Sequence, residues 1–275
     1  MAGELNIRKL YIDSRFKTVN SSSDGDFKFE LNEAIQLPDN CAVFIDDITI
    51  PNSWYNIDSQ SNRLYVTRYQ DASNTRTDKI LSLDIQNHTF TTLTNALQTA
   101  LDDSFGSNIF TVTQNVFLGT MSIEVGPDSV CRFFTDSELK EGNITWSGDS
   151  YDISNLMSAN EVCGIFVSQG GNLITTSLVD LRRYHNIYLS SSSLSSYSTL
   201  GPLGQNDIIK KIQVTSNYGS MIFDNVVAPH DWVDVSKRLL KTLEFKFIDA
   251  YGKTINFNGI SVSFSLIFMI VPHGQ

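Results

Sequence analysis

The sequence predicts a mainly β protein: an antiparallel β-sandwich that carries a small inserted α/β element. Three observations predict it. Near the C-terminus, Leu243, Phe245 and Phe247 alternate with Glu244 and Lys246, and Val262, Phe264, Leu266, Phe268 and Ile270 alternate with Ser261, Ser263, Ser265 and Ile267. A strict period of two puts one set on a buried face, and a long strand apolar on one face needs a facing sheet. Second, turn signals separate the runs, at residues 249–253 and at Asn258-Gly259, where both residues of the pair tolerate φ > 0. Third, helical spacing is confined to one clear stretch, Leu93, Ala96, Leu97, Ala100, Leu101 and Phe105.

Taken in order, residues 1–26 read as an N-terminal arm. Tyr11, Ile12 and Phe16 lie among charges, and the serine-rich segment from Ser21 to Asp26 reads as a flexible link. Tyr11, Ile12, Arg15 and Phe16 are therefore candidates for contact with a neighbouring molecule. Phe27, Phe29 and Leu31 give a first strand, and residues 42–50 a second that ends at Pro51. Asp46 and Asp47 are adjacent in that strand, so alternation sends them to opposite faces and denies them a joint acid/base role. Trp54 and Tyr55 read as packing over the end of the sandwich. Leu64 to Val66 forms a short strand, and residues 71–78, polar and aperiodic, read as a linker.

The pattern then changes. A strand near Ile80 to Ile85, the helix with a threonine-rich start and Gly106 just past its end, and strands around Val112 and Ile123 make an α/β unit. A further helix is expected to start near Ser154 or Ser158, the latter with a capping-box pattern. Strand character resumes by Ile187, the serine run 190–199 reads as a mobile loop, and residues 208–214 and 221–223 give further strands. The expected organisation is an arm over 1–26, a sandwich over 27–78 plus 166–275, and an insertion over 79–165.

At 275 residues the folded chain buries roughly 70–75% of its unfolded surface and needs no disulfide or metal staple. Cys41, Cys131 and Cys163 show no CxxC spacing and read as free thiols of a reducing compartment. A net charge of −10 opposes binding to a nucleic-acid backbone. The start, Met1-Ala2-Gly3-Glu4, lacks an apolar leader. The C-terminal strand is too short to span a bilayer, and no membrane insertion is expected.

Catalytic patterns are present only as fragments. Gly252-Lys253-Thr254 resembles the end of a phosphate-binding loop, but Phe247 stands where the first glycine belongs. Ser14 to Lys17 matches S-x-x-K without its companion motifs. The histidines share no ligand spacing. No catalytic residue, metal or cofactor is expected, and the protein reads as a non-enzyme. Trp146, Tyr151 and Trp232 are candidate exposed aromatics for recognition of a receptor or sugar.

Several stretches carry a family resemblance. Residues 11–16 (Tyr-Ile-Asp-Ser-Arg-Phe), 26–31 (Asp-Phe-Lys-Phe-Glu-Leu), 44–51 (Phe-Ile-Asp-Asp-Ile-Thr-Ile-Pro) and Ser53-Trp54-Tyr55 resemble the opening of penton-type minor capsid proteins of virophages and Polinton-like viruses. Leu243-Glu244-Phe245, Asp249, Tyr251-Gly252 and residues 262–266 resemble that family's closing strands. The resemblance implies a single jelly roll that assembles as a homopentamer at icosahedral vertices of the virion. It implies a separate double jelly-roll major capsid protein as partner, an outward-projecting insertion that could meet a host surface receptor, and no active site. The alternative reading is a jelly-roll module that binds a receptor or carbohydrate.

Overall fold

In a computed structural model the residues described are 7–142, 146, 158–160, 169–196, 199–227 and 231–271. In chain order the strands are β1 (Ile7–Asp13), β2 (Asp26–Gln36), β3 (Cys41–Pro51), β4 (Arg63–Gln70), β5 (Thr75–Ser82), β6 (Phe110–Asn115), β7 (Thr120–Val125), β8 (Ser129–Phe133), β9 (Gln169–Gly171), β10 (Leu173–Thr175), β11 (Asn186–Ser190), β12 (Ile208–Gln213), β13 (Met221–Asp224), β14 (Val233–Asp234), β15 (Leu239–Ile248) and β16 (Ser263–Ile270). Helix α1 is Phe90–Phe105 and α2 is Asp136–Glu141. The chain forms two compact units, Met1–Trp54 with Tyr184–Gln275, and Tyr55–Arg183.

In the first unit β1 pairs with β16, β2 with β15, β3 with β13 and β11 with β12, all antiparallel. Successive pairs of this kind make one long two-stranded ribbon. Two further antiparallel pairings, β16 with β3 and β15 with β11, roll the ribbon up. The resulting sheets run β1-β16-β3-β13, with β14 also on β3, and β12-β11-β15-β2. A ribbon rolled into two sheets in this way is a jelly roll.

The alternating C-terminal residues form its centre. Leu243, Phe245 and Phe247 of β15 lie in one core with Phe264, Leu266 and Phe268 of β16, which belongs to the other sheet. Phe245 and Phe264 meet edge-on at 4.9 Å, and Phe247 meets Phe257 in the same way at 5.3 Å. The connection between the two strands is built by its turn chemistry. Buried Asp249 accepts from the Tyr251 and Lys253 amides, both at 2.9 Å, and Gly252 takes φ +77°. Asn258 and Gly259 take φ +52° and +78°, as a tight turn of mirror-image type requires. Trp54 packs against Tyr184 and Phe257 at this core, as expected.

Four expectations are corrected in this unit. The N-terminal segment is not an arm: Ile7–Asp13 is an edge strand paired along its length with β16, and Ile12 is 1% exposed in the core. The Ser21–Asp26 link is not loose. Gly25 lies so close to Ile255 that a Cβ would stand 2.1 Å from its carbonyl oxygen, and its own carbonyl accepts from Phe247 N at 2.8 Å. Over residues 190–196 the serine run is not a mobile loop. Ser192–Leu194 forms a 3-10 turn with Leu194 buried, and Ser193 Oγ accepts from Glu244 N at 3.0 Å while Ser192 donates to the Glu244 carboxylate at 2.8 Å. Asp46 and Asp47 do not point to opposite faces. The β3–β16 register shifts between Ser265 and Leu266; this bulge leaves Asp46 as the extra residue and turns both carboxylates toward Lys9.

In the second unit one sheet runs β5-β4-β8-β9 and another β10-β7-β6. The helix is the expected one: Thr89 caps α1 in a reciprocal pair with Thr92, and Gly106 ends it at φ +100°. Leu93, Leu97 and Leu101 of α1 share a core with Leu64, Val66, Phe110, Ile123 and Phe133. Gln98 lies against the backbone of edge strand β6, donating to Phe110 O at 3.0 Å and accepting from Val112 N at 2.8 Å, which blocks an open strand edge. Arg183, whose side chain is 4% exposed, reaches Asp58 at 2.9 Å and Ser61 at 2.6 Å, fastening the unit's last residue to its first loop.

The expected insertion boundaries, 79 and 165, move outward to 55 and 183. Residues 71–78 are not a linker: after a turn at Asp71–Ser73, β5 pairs with β4 from Gln70↔Thr75 to Arg63↔Ser82. Buried Asp78 accepts from Thr67 and, at 2.9 Å, from Arg76, so its polarity is satisfied across the hairpin instead of by water. The Leu64–Val66 strand accordingly belongs to this unit. Ser158 lies buried and its amide bonds to Asp136, and Ala159 and Asn160 after it are helical and buried, whereas Tyr151, Ser154 and residues 161–168, Cys163 among them, fall outside the described residues.

Candidate assembly surface

The edge strand β1 and the turn that follows it hold all four residues expected at an interface and expose three of them. Along β1, alternation buries Ile12 and turns Lys9, Tyr11 and Asp13 outward. Tyr11 is 71% exposed, and Lys9 Nζ lies 5.1 Å from its ring centroid. Lys9 also spans β16 to reach Asp46 at 2.6 Å and Asp47 at 3.4 Å, and the hydrogen bond it donates to Asp46 raises its pKa above the usual lysine value. Asp47 further accepts the hydroxyl of wholly buried Ser265.

Ser14–Phe16 is a 3-10 turn capped by Asp13, which accepts the Arg15 amide at 2.9 Å and the guanidinium at 2.5 Å. That guanidinium holds the Asp13 carboxyl below the usual range. Ser14 pins the turn to the last strand's approach, exchanging bonds with Val262 N and O at 3.0 and 2.9 Å, and donates to Asp24 at 2.8 Å. A fixed turn thus displays Arg15 and Phe16, the latter 73% exposed. Ile12 is removed from the interface set because it is core.

The opposite edge of the same sheet carries residues the sequence reading missed. On β13, Ile222 is buried and its neighbours face outward, with Phe223 73% exposed and Val226 exposed just beyond. The strand is only four residues long, too short for alternation around Ile222 to signal its exposed side. Leu200, Leu203 and Tyr251, in loops of the same unit, are exposed as well.

The recognition aromatics separate. Trp232 stacks on Phe44 at 5.9 Å and 13° between planes and stays 36% exposed. Trp146 is not an exposed aromatic: it packs edge-on against Tyr65 at 5.7 Å and Phe134 at 6.0 Å. Tyr151 and His230 lie outside the described residues. Among the described residues no group of three or more His, Cys, Asp or Glu side chains is arranged to hold a metal ion, and no helix is long and apolar enough to cross a membrane.

No protein-family model matches the sequence, and no curated protein matches it. Among solved structures, the chain is similar to the crystal structure of the mavirus penton protein, with a TM-score of 0.54 over 96% of this chain and 99% of that one, at 10% identity. The fold is that of a penton protein. Coverage of nearly both whole chains means that the likeness takes in the second unit as well as the jelly roll. The mainly β architecture expected from the alternating strands, and the likeness to virophage penton proteins first seen in the sequence, agree with this neighbour.

Proposed function

We propose that this chain is a structural capsid protein, the penton protomer that closes the icosahedral five-fold vertices as a homopentamer. The observation that carries the reading is the rolled ribbon of the first unit together with a likeness to the mavirus penton protein that runs the length of both chains. The distribution of exposed aromatics supports it. A ring of identical subunits needs two different flanks on each copy, one for each neighbour, and Tyr11 and Phe223 mark the two opposite edges of one sheet.

In this reading the second unit projects from the vertex, where a host receptor could meet it, and the jelly roll contacts a double jelly-roll major capsid protein. The chain acts by shape and contact, without catalysis, within the virion. The alternative of a carbohydrate-binding module is weakened because Trp146, one of its stacking candidates, is occupied by Tyr65 and Phe134. Light scattering on the purified chain tests the proposal. A mass five times the 30.8 kDa of one chain is expected. A chain that stays monomeric at every concentration and gains affinity for a glycan array would favour the alternative.

A further inference from the structure

The β6–β7 hairpin ends in a tip that the assembly surface does not use. Asn115 and Thr120 form its last paired step, leaving Val116, Phe117, Leu118 and Gly119 as the loop. Val116 is 68% exposed, Phe117 102% and Leu118 65%. Leu178, itself 68% exposed, joins them, because its side chain lies over Gly119. Four apolar side chains thus stand together at one end of the second unit. A surface hairpin usually carries polar turn residues, and a contiguous apolar patch of this kind marks a contact site.

The tip is built firmly. Leu118 N donates to Asn115 Oδ1 at 3.1 Å, Gly119 O accepts from Val179 N at 2.9 Å, and Met121 exchanges bonds with Thr176 through its amide and carbonyl. Its chemistry is also selective. From Ser104 to Ile123 the chain carries no Asp, Glu, Lys, Arg or His, and the side chains at its base, Asn115, Thr120 and Ser122, are neutral amides and hydroxyls. A protein pocket that received such a prong would be held in register by a charged or polar rim, and the prong offers no charge to match one. A convex, uncharged tip held by the Leu118 amide and the Gly119 carbonyl is suited to the interfacial layer of a bilayer, where apolar side chains partition without needing directional partners.

We propose that the Val116–Leu118 tip, with Leu178, is a lipid-contacting prong that inserts shallowly into an electrically neutral membrane surface. The chain's net charge of −10 selects against anionic lipid, so partition of the apolar tip supplies the attraction. This revises the expectation of no membrane insertion, which rested on the lack of a spanning segment. The inference uses the second unit alone and does not rest on the vertex reading, although several copies in a ring would strengthen binding through avidity.

Flotation of the full chain with phosphatidylcholine vesicles at millimolar lipid tests it. The chain is expected to float with the vesicles at low and high salt alike. The double variant Phe117→Asp, Leu118→Asp is expected to lower the bound fraction by about ten-fold or more, since one order of magnitude needs a change of only about 1.4 kcal/mol. Both side chains are solvent-facing, so the melting temperature should not move. As a second readout, Phe117→Trp should shift its emission to the blue when vesicles are added. No flotation, flotation unchanged by the double variant, or binding only to anionic vesicles and lost in salt would overturn the proposal.

Discussion

Tyr11 on β1 and Phe223 on β13 stand on the two opposite edges of one sheet, 71% and 73% exposed. Neither side chain supports the core, which the same strands supply through Ile12 and Ile222. Replacing either exposed ring with Asp should therefore leave folding stability within about 0.5 kcal/mol. If the two edges are the two flanks of a ring, either change should weaken self-association by about ten-fold or more, by burying a charge at a desolvated contact. Concentration-dependent light scattering with a parallel urea titration measures both.

Gly25 is fixed by what surrounds it. A Cβ would collide with Ile255 O at 2.1 Å, and Gly25 cannot retreat because its carbonyl is bonded to Phe247 N. Backbone on both sides leaves nothing that can rotate away. Gly25→Ala is expected to cost about 2–3 kcal/mol, read as a lower urea midpoint. Gly204→Ala, with open space around it but φ +81°, should cost only about 1 kcal/mol.

Burial pushes the Cys131 thiol up to about 12 and raises that of Cys41 as well. The thiolate is the reactive form, so neither thiol should react with a maleimide at pH 8 in the native protein, and both should react in urea. Peptide mapping after labelling distinguishes each site.

The surface ion pairs set the pH response. A hydrogen bond from Lys28, with a second from Ser192, lowers the Glu244 carboxyl, and Arg15 lowers that of Asp13. A carboxyl whose pKa is lower in the folded state contributes stability above its unfolded value, and this is lost as pH falls through the lowered one. Lys9 and Lys28 are raised by Asp46 and Glu244; their contribution is present below the ordinary lysine value and is lost as pH rises through the raised one. Stability should therefore hold steady between about pH 6 and 9 and decline below about pH 4. Since these pairs meet solvent, salt should make the decline shallower. Melting temperatures across pH, with and without salt, measure it.

The parts of the fold legible in the sequence were those where local chemistry and the tertiary structure agree. The alternating phenylalanines of β15 and β16, the threonine cap of α1 and the Asn258-Gly259 turn each followed from residue type alone. What stayed hidden was polar residues satisfied at long range. The serine run looked unable to pack until Glu244 on β15 and Arg238 just before it supplied partners. The first half of the hairpin strand β5, residues 75–78, looked like linker because buried Asp78 bonds to Thr67 and Arg76. Period two assumes an unbroken strand, so the bulge at Asp46 was invisible to it. Of the proposed assembly surface, Tyr11, Arg15 and Phe16 were picked out as apolar and basic residues near the N-terminus, and the structure shows them exposed. The β13 flank was not, because a four-residue strand shows too little alternation to reveal its exposed side.

The most direct test of the capsid reading is a reconstruction of particles assembled from this chain together with a double jelly-roll capsid protein. The account predicts five copies of the jelly-roll unit closing each vertex, with Tyr11 of one copy facing the Phe223 flank of the next. Particles whose vertices hold no density for this chain, or that close equally well without it, would contradict the account.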